Sequence, residues 1–306
     1  MLCKPPLLKY LSAIFLGILL QSCCLFGSCE DDPSSDKVLP EFSPTPAVFP
    51  VQNTSLIEVS GMGASFRFPG HLWLLEDSGT EPKLDLIQEN GSYVRKVTFA
   101  GNNRDWEDLA VGPGPEEGKK YIYIGEIGDN NASYKDYYIY RFEEPSGDRI
   151  SAYETLHFRY PNGESYDAET LLVDPWTKDI YVITKNQLNV RVYRLPYPQQ
   201  TGAVNEAQFM GTIKYFLLVS GDISADGTEI LLKSYSTLYY WKRKPGENLY
   251  DVLQRAHDLT VPYVLEPQGE AVCWDVQAKG YFTLSERGSQ AQTPPLYYYR
   301  KNGEKQ

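Results

Sequence analysis

The chain has 306 residues, carries a formal charge of −11, and is 42% hydrophobic. It lacks the basic surface that nucleic-acid binders need, so nucleic acid is excluded as a partner. Of its five cysteines only Cys273 lies beyond residue 29, which leaves the body of the chain without a disulfide framework or a cysteine-based metal site.

In chain order, the first element is an address segment. Lys4 and Lys9 form a basic start, and residues 10–20 are an apolar run broken only by Ser12. That run is too short to cross a hydrocarbon core, which takes about 20 residues, and suits the apolar region of a signal peptide. The following LQSC, ending at Cys23, resembles the bacterial lipobox, in which the cysteine becomes the lipidated first residue of the mature protein. Cys29 is the alternative. The acids after it (Glu30, Asp31, Asp32) resemble the surface-export signal of Bacteroidetes lipoproteins. Residues 1–22 are therefore expected to be a lipoprotein signal peptide and 23–48, rich in Pro, Ser and acid, a flexible tether. The expected location is the cell envelope of a Gram-negative, Bacteroidetes-like bacterium, as a lipid-anchored outer-membrane protein facing the periplasm or the cell surface.

Residues 49–306 are expected to be one all-β domain. Tyrosine is frequent, at 24 residues, and falls in alternating segments such as YIYI at 121–124 and YYIY at 137–140. Alternating β-branched and aromatic residues punctuated by Gly, Pro and Asn read as strands. Five times, at intervals of roughly 50 residues, an acidic or small polar cluster runs into a short apolar strand: EVSGM at 58–62, WEDLAV at 106–111, DAETLLV at 167–173, SGDI at 220–223 and QGEAV at 268–272. A repeat of this length predicts a β-propeller with one four-stranded blade per repeat.

The first blade is read at 61–66, 72–76, 83–88 and 93–100, and the second at 108–112, 121–126, 137–142 and 155–160. The third falls at 169–174, 180–185, 190–195 and 208–215, and the fourth at 217–224, 229–235, 237–243 and 258–264. The fifth has strands at 270–275, 280–286 and 295–301 and lacks its fourth. Residues 51–59 are expected to supply it and close the ring, removing two open edges. Five blades is the predicted count, with six as the alternative.

Successive strands of a blade are antiparallel, so the start of the first and the end of the second share one mouth of the central channel. This gathers Trp106, Glu107, Asp108, Asp167, Glu169, Asp222 and Glu270 with Asp77, Glu126, Asp129, Asn130, Lys185, Lys233 and Glu286. Three readings follow. The acids can cap turns by accepting backbone N–H groups. Alternatively, Glu107, Asp108, Asp167, Glu169 and Glu270 can hold a hard cation, Ca2+ or Mg2+, which prefers oxygen ligands; three scattered histidines form no zinc cluster. Lastly, a carboxylate pair can do acid–base work, with Glu126 or Asp129 as base in a metal-dependent hydrolase of an ester, lactone or phosphoester. Trp106 and Arg104, with Asp77, Asn130, Lys185, Asp222, Lys233 and Glu286, are the candidate contacts for a small polar ligand such as a glycan. A protein-interaction scaffold using the same mouth is a further alternative, and a monomer is expected.

At NRDWEDLAVGP (103–113), GEIGDN (125–130), DAETLLVDP (167–175) and EPQGEA (266–271) the chain resembles an uncharacterised bacterial family of secreted propeller lipoproteins. That resemblance implies the fold and the export route and brings no activity. More distantly, an acid ahead of a small-apolar entry strand is similar to gluconolactonase-type and phytase-like propellers, whose rim carboxylates hold divalent metal. The chain departs from those in blade count and in Lys185 and Lys233.

Overall fold

A computed structural model of the chain describes residues 39–185 and 188–303. The predicted signal peptide, Cys23, Cys29 and the first part of the tether lie outside the described residues. The fold is an all-β propeller of five blades. From the channel outward, blade one consists of Val59–Ala64, His71–Glu76, Lys83–Gln88 and Tyr93–Phe99. Blade two is Trp106–Pro113, Lys120–Glu126, Tyr137–Glu143 and Glu154–Arg159. Blade three is Ala168–Val173, Ile180–Thr184, Val190–Leu195 and Gln208–Ile213. Blade four is Leu218–Ile223, Glu229–Ser234, Leu238–Lys242 and Leu259–Val261. Blade five is Gly269–Trp274, Gly280–Ser285 and Leu296–Arg300.

The N-terminal segment completes blade five, as the count requires, but from further upstream than expected. Ala47–Phe49, not 51–59, pairs antiparallel with the strand Leu296–Arg300, in the register Ala47 to Tyr298 and Phe49 to Leu296. Phe42 forms a bridge to Lys301 and is buried among Tyr240, Trp274 and Tyr281. Residues 39–48, assigned to the tether by their Pro and acid content, therefore join the propeller. Two further clasps cover outer edges: Arg149–Ile150 pairs parallel with the last strand of blade one, and Asn205–Glu206 with that of blade two. Each leaves less strand edge open to other chains.

Apolar burial sits in five parcels, one at each blade junction. Trp73, Leu86, Trp106 and Ile122 fill the first, and Tyr123, Ile139, Leu171 and Val182 the second. The third holds Leu172, Ile183, Ile230 and Trp241, the fourth Leu231, Tyr240, Val272 and Tyr281, and the fifth Met62, Leu72, Cys273 and Phe282. Cys273 is thus a plain core residue. Inner strands pack closely enough that a Cβ on Gly61 would lie 2.6 Å from the Leu109 amide nitrogen, so glycine is required there. Blade four carries a short helix, Leu249–Gln254, before its last strand, capped by the Asn248 side chain, which accepts from the Tyr250 N–H at 2.9 Å. Six residues are too few to show a helical period, but Leu249, Val252 and Leu253 are buried against blades three and four.

Candidate functional site

Every inner strand carries a β-bulge at its second residue. The register shifts between Val59 and Gly61, Trp106 and Asp108, Ala168 and Thr170, Leu218 and Ser220, and Gly269 and Ala271. The extra residues are Ser60, Glu107, Glu169, Val219 and Glu270. A bulge re-aims a side chain at a strand end, and this one recurs at the same mouth of all five blades. Three blades place a glutamate there, while blades one and four do not. The predicted acidic ring is therefore incomplete, and its periodic element is the bulge rather than the charge.

The acids then divide by what their oxygens meet. Asp108 is fully buried; its Oδ1 accepts the Leu109 N–H at 2.9 Å and the Ser220 hydroxyl at 3.1 Å, and its Oδ2 accepts the Leu171 N–H at 2.9 Å. It ties blade two to blades three and four. Asp222 does the same for blades four and five, accepting the N–H groups of Ile223 and Trp274, each at 2.8 Å. It also lines the opposite mouth, where the inner strands end. Burial pushes Asp222 up to about 7 and Asp108 well above the usual carboxylate range, despite these donors. Asp129 accepts the N–H groups of Ser133 and Tyr134 and the Tyr137 hydroxyl at 2.7–2.8 Å. Burial works to raise its carboxyl, but those hydrogen bonds outweigh it and leave the group below its ordinary value. These three follow the turn-and-backbone reading, so Asp108 and Asp222 are not placed to hold a cation or ligand at this mouth, nor Asp129 to act as a base.

Trp106 is also displaced from the expected role. It is fully buried, packed edge-on against Phe99 at 5.3 Å, in the core between blades one and two. It offers no platform to a sugar. Glu126, the other candidate base, accepts the Tyr140 hydroxyl and lies 3.5 Å from the Arg104 Nε. Arg104 stacks on Tyr134 at 4.0 Å and donates to the Asp136 carbonyl, so Glu126 takes its charge rather than Glu107. Lys233 is absent from the mouth as well. It is wholly buried between blades four and five, donating to the Gly269 carbonyl and to Tyr263, whose hydroxyl donates to Glu266 at 2.9 Å. Burial lowers its ammonium to about 8. Asn130 is exposed in the turn after Asp129.

What remains is a connected group of five carboxylates. Asp77, Asp105 and Glu107 offer oxygens within 4.8 Å of one another, and so do Glu107, Asp167 and Glu169. Oxygens bound to one Ca2+ at 2.3–2.6 Å lie no further apart than about 5 Å, so each trio can hold a metal ion. Glu107 belongs to both. Its side chain is buried, 4% exposed, and no N–H or O–H among the described residues donates to it. Burial, followed by the charges of Glu169, Asp77, Asp105 and Asp167, drives its carboxyl well above its ordinary range. Asp77 is pushed up to about 6, by burial first and then by Asp105, Glu270 and Glu58. Asp77 and Asp105 are half-buried and give the group its opening to solvent.

Gly128, in the GEIGDN turn, forms the wall of this group. A Cβ there would fall on the Glu107 Oε1 and 2.6 Å from the Asp105 Cγ, so only glycine leaves room for the two acids. The Asp129 N–H also donates to Asp167 Oδ1 at 2.9 Å, fixing one member of the second trio. The two sequence motifs of blade two therefore meet at one place.

Across the mouth the charges are compensated differently. Lys185 forms an ion pair with Glu169 and lies 5.3 Å from the Tyr235 ring. Burial works to lower the Lys185 ammonium, and the Glu169 charge reverses that and raises it. Tyr235 donates to Glu270 Oε1 at 2.6 Å. Glu286, pushed up to about 10 by burial and by its hydrogen bond with Glu270, keeps its proton and shares it with Glu270. Glu270 thus stands outside both trios, satisfied by Tyr235 and Glu286. Asp105 and Tyr235 are the residues that sequence reasoning left out of the site. Asp105 lies inside the NRDWED motif and could have been found there, whereas Tyr235 sits at a loop position with no chemical pattern.

No protein-family model matches the chain, and comparison with curated proteins gives no match. Among solved structures it is similar to the hydrazine synthase of Kuenenia stuttgartiensis, with a TM-score of 0.42 and 10% identity over 80% of this chain and 72% of that one.

Proposed function

We propose that this protein is a lipid-anchored cell-envelope propeller whose acidic mouth binds a divalent cation, Ca2+ ahead of Mg2+. The observation that carries the reading is Glu107: a buried carboxylate without a donor among the described residues, set among four others, with Lys185 paired to Glu169 and the Arg104 charge acting on Asp105. Like charges at this spacing are relieved by protons or by a cation. The ligands are all oxygens and one side of the group is open, which suits Ca2+, whose coordination is flexible, better than Mg2+, which demands octahedral geometry. Because ligation requires ionised carboxylates, affinity rises as pH passes through about 6, where Asp77 loses its proton. Binding rather than catalysis is supported, since Glu126 and Asp129 are both committed to internal partners. With Trp106 in the core, the glycan reading loses its platform.

Anchoring rests on the LQSC sequence at Cys23 and the apolar run before it. A Ca2+ titration followed by thermal melting tests the cation reading. Ligand at 100 times its Kd stabilises the folded state by about 2.7 kcal/mol, a shift of several degrees. An unchanged melting temperature at millimolar Ca2+, at a pH above 7, counts against it. Labelling with a radioactive fatty acid tests the anchor, which Cys23→Ser should abolish.

A further inference from the structure

The mouth contains two overlapping trios rather than one, and the overlap has a consequence for stoichiometry. We infer that the site holds two cations side by side, bridged by the Glu107 carboxylate, with Asp77 and Asp105 completing one position and Asp167 and Glu169 the other. This rests on the cation reading above and goes beyond it. Glu107 is the residue of both trios, and a carboxylate has two oxygens with which to serve two ions. It is nine-tenths buried and takes no hydrogen bond from the described residues, so neither oxygen is committed to the protein. The Oε1 lies on the Asp105 side, against Gly128.

Charge points the same way. Five carboxylates surround the two positions; among the described residues Lys185 pairs with Glu169, and the Arg104 charge acts on Asp105. The group keeps an excess of negative charge, which two divalent ions relieve further than one. Glu270 and Glu58 add to the negative field at Asp77, since the one proton that Glu286 shares with Glu270 leaves that pair a net charge. The position formed by Asp77 and Asp105 is the more open one, since both residues are half-buried, whereas Asp167 and Glu169 are buried. The outer position is therefore the one that exchanges faster with solvent.

Mn2+ is the probe, counted by the loss of the free-ion electron paramagnetic resonance signal on titration into the full chain. The expected result is two ions per chain, with spectra of a magnetically coupled pair at saturation. Asp105→Asn and Glu169→Gln should each reduce the count to one and remove the coupling. One ion per chain, or two uncoupled ions that survive both substitutions, overturns the bridged pair. The first of these outcomes leaves a single-cation mouth standing, whereas no bound ion removes both readings. Should either variant fail to fold, the coupled spectrum of the unaltered chain still decides the point.

Discussion

Asp108→Ala should be among the most damaging single substitutions in the propeller, although its neighbour Glu107 is the residue of functional interest. The Asp108 carboxylate accepts from Leu109, Leu171 and Ser220, on three different blades, and none of its surface reaches solvent. Truncation leaves two buried backbone N–H groups without acceptors, at about 1–3 kcal/mol each, while the Ser220 hydroxyl can turn elsewhere. Removing a buried carboxyl also returns part of its desolvation cost. The two losses come to about 4 kcal/mol, and the returned desolvation leaves a net of more than about 3 kcal/mol, a large share of the roughly 5–15 kcal/mol available to a typical folded protein. In urea denaturation this moves the midpoint down by more than about 1 M at a slope of about 3 kcal/mol/M. If Asp108→Ala unfolds within about 1 kcal/mol of the parent, the claim that this acid staples the blades is wrong.

Glu107→Gln should do the opposite: raise the melting temperature of the ion-free chain at pH 7, because a crowded buried acid is replaced by a neutral isostere, and erase the Ca2+-dependent shift. Gly128→Ala should fold yet bind Ca2+ at least about tenfold more weakly by calorimetry, because its methyl group occupies the space of Glu107 and Asp105. Asp222 gives a pH signature. Its folded-state carboxyl, pushed up to about 7, holds a proton that the unfolded chain releases above about 4, so its contribution is present in full below pH 4 and is lost as pH rises to 7. Urea midpoints of Asp222→Asn at pH 4.5 and 7.5 should therefore differ by less, in the direction of loss at the higher pH, than those of the parent.

Blade number and the mouth that gathers the acids were readable because the blade-entry repeat marks a physical feature, the bulge at the start of every inner strand. The assignment of individual acids was not. Glu107 and Asp108 are adjacent in one motif, and their fates differ because Asp108 meets three donors contributed by residues up to 112 positions away while Glu107 meets none among the described residues. Nothing local to WEDLAV reports those partners. Trp106 was equally ambiguous: an aromatic beside two acids fits a ligand platform or an inter-blade core, and the apolar wall built by Phe99 and Tyr140 decides for the core. The closing strand was misplaced by a few residues because three strand residues flanked by prolines carry almost no periodicity. Lys233 looked like a rim charge by its place at a strand end; its partners Tyr263 and Glu266 come from the following blade connection.

The most direct test of the cation site is a crystal structure of the protein grown with Mn2+ and measured at a wavelength that reveals the ion by anomalous scattering. The account predicts a peak within bonding distance, about 2.1–2.6 Å, of a Glu107 oxygen, with Asp105 or Asp167 also in the ligand shell. A fully soaked crystal with no peak at Glu107, or with the Glu107 carboxylate turned onto a protein donor, contradicts it.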